Sequence, residues 1–135
     1  MVEYIRNFAM KKLLLLFVVI FSTSCFGEWK IFVNRDGAVK RYYNTESLEK
    51  NDDIYLLYVR SYFAFEVPLN QEQKYRVTEA YIELDCIEYA YTTLKTNFYS
   101  GYNLTGLFEK KNFENPEKKY LNRRSAYWNL AKIIC

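Results

Sequence analysis

The chain has 135 residues, enough for one domain with a modest core and no more. Aromatic residues make up 19% of it, 14 of them Tyr, and with only two Pro and four Gly it is neither a disordered nor a linker-like chain. Three of the 19 basic and one of the 16 acidic side chains fall within residues 1–24, so the formal charge of +3 leaves the remainder near neutral and removes the general electrostatic case for nucleic acid; the absence of histidine removes the commonest general base and metal ligand.

Lys11-Lys12 lead into a nine-residue apolar run, Leu13 to Phe21, followed by small polar residues. The run is too short for a stable transmembrane helix and reads as a secretory signal over residues 1–25, with Met10 as an alternative start. Thr23 and Ser24 supply the small residues that precede a lipidated cysteine, which makes Cys25 the candidate lipidation site. Ser22 stands where such sites favour Leu, and ordinary cleavage after Gly27 is the alternative. The mature part is then one domain, residues 26–135, in an exported protein of the cell envelope that touches membrane only through an N-terminal lipid anchor.

Trp29 to Asn34 and Val39 to Tyr43 are β-prone runs around Asp36-Gly37, the pattern of a hairpin. Asn44 followed by Glu46 and Glu49 predicts a short capped helical turn. Ile54 to Phe65 is the longest β-prone run, and the segment around Pro68, Asn70 and Gln71 is a loop. Tyr75 to Tyr99 alternates with period two on either side of a break at Cys86-Ile87-Glu88, which predicts two half-buried strands in an antiparallel hairpin. Thr78, Ala80, Ile82, Leu84 and Cys86 form the expected core face. Tyr81, Tyr89 and Tyr91 fall on the expected outward face, near Arg76, Glu79, Glu83 and Lys95. Leu107 to Glu109 offers a short edge strand, Asn112 to Lys119 an exposed segment, and Arg123 to Ile134 a helix with Ser125 as cap. The fold class is therefore α+β: an antiparallel sheet of about five or six strands with a C-terminal helix packed on one face.

With Cys25 removed or acylated, Cys86 and Cys135 remain as an even pair in an exported chain. A disulfide between them would tie the helix to the sheet; two buried free thiols are the alternative.

The segment YRVTEAYIELDCIEYAYTTLKTNFYSG, ending at Cys135 of AYWNLAKIIC, resembles the surface-adhesin protein E family of Gram-negative bacteria, as do Trp29-Lys30 and Tyr42-Tyr43-Asn44-Thr45-Glu46-Ser47. The resemblance covers most of residues 28–135. It implies a small exported α+β domain on a lipoprotein at the outer membrane or cell surface, binding host matrix or serum proteins such as laminin and vitronectin. The family type is also linked to haem, but this chain has no histidine to serve as an axial ligand, and no cofactor is expected.

Exposed tyrosines among charges have the composition of protein-binding surfaces. Tyr81, Tyr89, Tyr91, Arg76 and Lys95 are therefore the candidate partner-binding residues, with cross-strand packing or a homodimer contact as the bland reading. Glu79, Glu83 and Asp85 alternate along one strand, yet nothing supplies the cleft that a paired-carboxylate glycosidase needs; no catalytic or metal site is expected. Lys110-Lys111, Lys118-Lys119 and Arg123-Arg124 form a basic stretch that is either solvated or in contact with acidic glycan or anionic lipid. The function expected is a non-enzymatic envelope binding module, and the alternative is a periplasmic lipoprotein with a structural or assembly role and no host ligand.

Overall fold

The computed structural model describes residues 28–135, which leaves the expected export signal and Cys25 outside the described residues. The chain forms strands β1 (Trp29–Arg35), β2 (Val39–Asn44), β3 (Glu49–Asn51), β4 (Ile54–Pro68), β5 (Lys74–Asp85), β6 (Ala90–Tyr99), β7 (Leu107–Asn112) and β8 (Lys118–Tyr120), then helix α1 (Trp128–Ile134). All pair antiparallel in one sheet of order β1-β2-β4-β5-β6-β7, with β3 beside β4 and β8 beside β6. Among the described residues no helix is long and apolar enough to cross a membrane.

The alternation of β4 and β5 sets the core. Leu57 and Val59 pair with Ile82 and Ala80, and these four, with Leu84, Phe32 and Tyr43, turn one sheet face toward Tyr127, Leu130 and Ala131 of the C-terminal segment. A seven-residue helix is too short to be stable alone, so its position depends on this apolar face and on the covalent tie at its end. That tie is present: Cys86 at the end of β5 is bonded to Cys135, across a sequence separation of 49. Burial among these side chains pushes the Tyr127 phenol up to about 12, with Arg41 opposing the rise and Tyr91 adding to it.

Several local elements differ from the sequence expectation. Asn44 does accept from two backbone N–H groups, those of Glu46 and Ser47, but the segment closes as a side-chain-capped turn rather than a helix and runs directly into β3. The C-terminal helix begins at Trp128, not near Arg123. Ser125 accepts from the backbone N–H of Asn122 in a preceding turn, and no side chain caps the helix. The segment from Asn112 to Lys119 is exposed at Lys118 and Lys119 as expected, yet it contributes a short strand, β8, whose Lys118, Lys119 and Tyr120 pair with Thr92, Tyr91 and Ala90.

The β5–β6 turn lacks Asn-Gly and is built another way. The Asp85 carboxylate accepts from the backbone N–H groups of Ile87 and Glu88, both at 3.0 Å, and Tyr89 takes the left-handed conformation at φ 55°. Those two backbone donors, with that of Glu88 dominant, and the nearby Lys118 ammonium hold the Asp85 carboxyl below its ordinary range. A folded-state value below the unfolded one gives stability that is complete above about pH 4 and is lost as the pH falls through the folded value. Asp85→Asn, followed by urea denaturation between pH 2 and 7, is expected to be less stable at neutral pH and to show a shallower acid limb than the parent. Superimposable acid limbs would show that Asp85 makes no such contribution.

Candidate functional site

The face opposite the helix is built from strand residues that alternate with the core. Arg60 stands across from Tyr42 on β2 and Glu79 on β5, while Tyr58 stands across from Tyr81, which in turn faces Lys95 on β6. Cross-strand partners share a face, so Trp29, Tyr42, Tyr58, Arg60, Tyr62, Glu79, Tyr81 and Lys95 all project to the same side. Among the described elements no helix covers that side.

Two clusters lie next to each other there. In the first, the Arg60 guanidinium sits 3.9 Å from the centre of the Trp29 ring. Its Nε and Nη2 donate to Glu79 Oε2 at 3.1 and 2.9 Å. Both members of the ion pair are only 18% exposed, so the charges are substantially desolvated and their positions well fixed. Tyr42 and Tyr62 meet edge to face at 5.7 Å, and with Trp29 and Arg60 they line a shallow depression of about 320 Å³. Ile31, across from Tyr42 on the same strand as Trp29, is 43% exposed beside them.

In the second cluster the rings of Tyr58 and Tyr81 lie 4.7 Å apart, and the Lys95 ammonium stands 5.2 and 5.3 Å from their centres. A hydrogen bond with Tyr58 is the main reason the Lys95 ammonium is held above its ordinary range. Partial burial, followed by the repulsion of Glu49 and Tyr58, raises the Tyr81 phenol despite the nearby lysine. This arrangement keeps a cation and two phenol groups oriented toward solvent, where they can meet a partner with both apolar and hydrogen-bonding contacts.

The five expected partner-binding residues are not brought together. Tyr81 and Lys95 are on this face, as expected. Tyr91 is not, because Leu94 is passed over in the pairing: Tyr81 faces Lys95 but Ile82 faces Thr93. This bulge inverts the alternation of β6, and Tyr91 shares the core face with Leu84 and packs against Tyr127 at 4.6 Å. Tyr89, in the turn, packs edge to face against Trp128 at 5.5 Å. Arg76 lies at the far end of β5, where it donates to the Tyr102 hydroxyl at 3.1 Å and approaches Glu66 at 3.5 Å. Tyr102 in turn donates to the Phe63 carbonyl at 2.7 Å, so Arg76 helps hold the Ser100–Gly106 loop on the sheet.

Trp29, Tyr42, Tyr58, Arg60 and Tyr62 were not among the residues expected to bind a partner. A signal for three of them existed: Tyr58, Arg60 and Tyr62 occupy alternate positions in β4, opposite in phase to buried Leu57, Val59 and Ser61. The carboxylates weighed as an acid–base pair are engaged in structure, Glu79 with Arg60 and Asp85 with the turn.

A family model described as surface-adhesin protein E matches residues 29–135. Among solved structures the chain is similar to protein E from non-typeable Haemophilus influenzae, at 21% identity and a TM-score of 0.52, covering 76% of this chain and 78% of that one. It is also similar to crystal form II of Haemophilus influenzae protein E, at 18% identity and a TM-score of 0.54, covering 82% and 96%. At these identities the likeness is one of fold. No curated protein matches the chain.

Proposed function

The chain belongs to the surface-adhesin protein E family, and from that premise we propose that it is a non-enzymatic envelope protein whose uncovered sheet face binds a host matrix or serum protein. The family implies export to the cell surface. A lipid anchor at Cys25 completes the proposal by holding the domain at the outer membrane with its sheet free to face outward. The observation that carries the reading is the continuity of the Trp29–Arg60–Tyr62 depression with the Tyr58–Tyr81–Lys95 cluster. Tryptophan, tyrosine and arginine dominate the energetics of protein interfaces, because each offers a large contact area together with a polar handle. Here the rotamers are already fixed by the Arg60–Glu79 pair and the stacked tyrosines, which lowers the entropy lost on binding.

The test is binding of the oxidised protein to immobilised laminin and vitronectin at physiological salt, with antibody labelling of intact cells alongside. Saturable binding is expected, weakened at least about tenfold by the double change Tyr58→Ser/Tyr81→Ser, as for loss of interface hot spots. Labelling of intact cells is expected as well. Absence of binding together with absence of surface labelling would give first place to a periplasmic structural or assembly role. Self-association abolished by the same double change would identify the face as a contact between two copies of this chain.

A further inference from the structure

On the other side of the sheet, between the β1–β2 hairpin and the start of the helix, lies a cleft of about 240 Å³. Four arginines line it: Arg35 and Arg41 from the hairpin strands, Arg123 and Arg124 from the segment before the helix. Trp128 and Asn129 complete its wall, and no carboxylate lines it. Among the described residues none of the four arginines takes part in an ion pair. Arg41 is anchored by donating to the Ser61 hydroxyl at 2.6 Å and by lying 5.6 Å from the Phe63 ring, whereas Arg35, Arg123 and Arg124 are exposed. Elsewhere on this near-neutral domain cations such as Arg60, Arg76 and Lys118 are matched with carboxylates. Concentrating four unmatched guanidinium groups around one concavity costs electrostatic repulsion that an anion would relieve.

From this we propose that the cleft binds a sulfated saccharide unit. Two features favour that class over a flat anionic surface. The planar fork of arginine matches the geometry of sulfate and carboxylate oxygens through paired N–H donors, which lysine does not. The Trp128 indole, held edge to face by Tyr89, offers an apolar plane beside the cations, as the apolar face of a sugar ring requires. A concave site of this size admits one saccharide unit, not an extended membrane surface. The cleft is separate from the tyrosine face, being lined by Val33, Val39 and Arg41 on the helix side of the sheet.

A heparin-derived tetrasaccharide, its fully desulfated counterpart and phosphatidylglycerol vesicles are the probes, used with the purified protein at physiological salt, where interactions beyond about 8 Å are screened. The tetrasaccharide is expected to bind and to shift tryptophan emission through Trp128, while the desulfated form and the vesicles bind far more weakly. The triple change Arg35→Gln/Arg123→Gln/Arg124→Gln is expected to weaken binding at least about tenfold, as loss of charge-assisted hydrogen bonds predicts. The control Lys110→Gln/Lys111→Gln/Lys119→Gln removes the same charge from β7 and β8 and is expected to change binding less than about twofold. Replacing Arg35 and Arg124 with lysine retains the charge and is expected to weaken binding as well. Equal losses in the arginine-to-glutamine and lysine-to-glutamine proteins would overturn the proposal in favour of diffuse charge, as would unchanged affinity in the arginine-to-lysine protein. Preference for vesicles, or no saccharide binding at all, would also overturn it.

Discussion

Replacing Cys86 and Cys135 together with alanine is expected to lower the unfolding free energy by about 4 kcal/mol, the loop-entropy value for a closed loop of this size. The closed segment runs from the end of β5 through β6, β7 and β8 to the last residue of the chain, a sequence separation of 49. Small domains hold only about 5–15 kcal/mol in all, so the loss removes a large share of the total, on the order of 20 °C in Tm. The helix is expected to leave first. It has seven residues and no side-chain N-cap, and its buried contribution is confined to Leu130 and Ala131. Backbone amide exchange at Leu130 and Ala131 should therefore accelerate more than at Leu57 or Ile82 when the bridge is reduced. Urea denaturation of oxidised and reduced protein checks the magnitude: coincident midpoints would show that the bridge carries no stability.

Strand content and the bridge were legible in the sequence because both depend on local or countable features. Period-two alternation follows from pleat geometry, and an even pair of cysteines in an exported chain has one pairing. The faces were less legible. Tyr91 reads as the outward partner of Tyr81 only if β6 keeps its phase through Thr93, Leu94 and Lys95, and the bulge at Leu94 is a pairing event that no residue type there announces. Phe32 is the same case on β1: it is passed over between Ile31 and Val33 and turns inward against Tyr43 and Tyr127. The helix start was misread because Tyr127, Leu130, Ala131 and Ile134 carry helical spacing while the preceding Arg123 to Ala126 form turns, which periodicity does not register. The tyrosine–arginine face was half hidden for a different reason. Its members come from five strands, and only register, not sequence proximity, brings Trp29 to Arg60 and Tyr58 to Lys95.

The inverted phase of β6 makes opposite demands on two tyrosines that look alike in sequence. Tyr91→Ser is expected to cost about 2 kcal/mol, since it removes a ring packed against buried Tyr127 and leaves a cavity beside Leu84. Tyr81→Ser is expected to cost less than about 1 kcal/mol, the range of a single cross-strand pair, because its ring faces solvent with Tyr58 and Lys95. Partner binding should follow the reverse order: abolished or strongly weakened by Tyr81→Ser, and retained by Tyr91→Ser under conditions where that protein remains folded. Urea midpoints and surface binding measured on the same two proteins separate the roles. Equal destabilisation by both changes would place Tyr81 in the core as well and undo the assignment of faces. Loss of binding only in the Tyr91 variant would move the binding surface to the helix side of the sheet. The two tyrosines are ten residues apart on neighbouring strands of one hairpin, and the single bulged residue, Leu94, decides which holds the domain together and which is free to meet a partner.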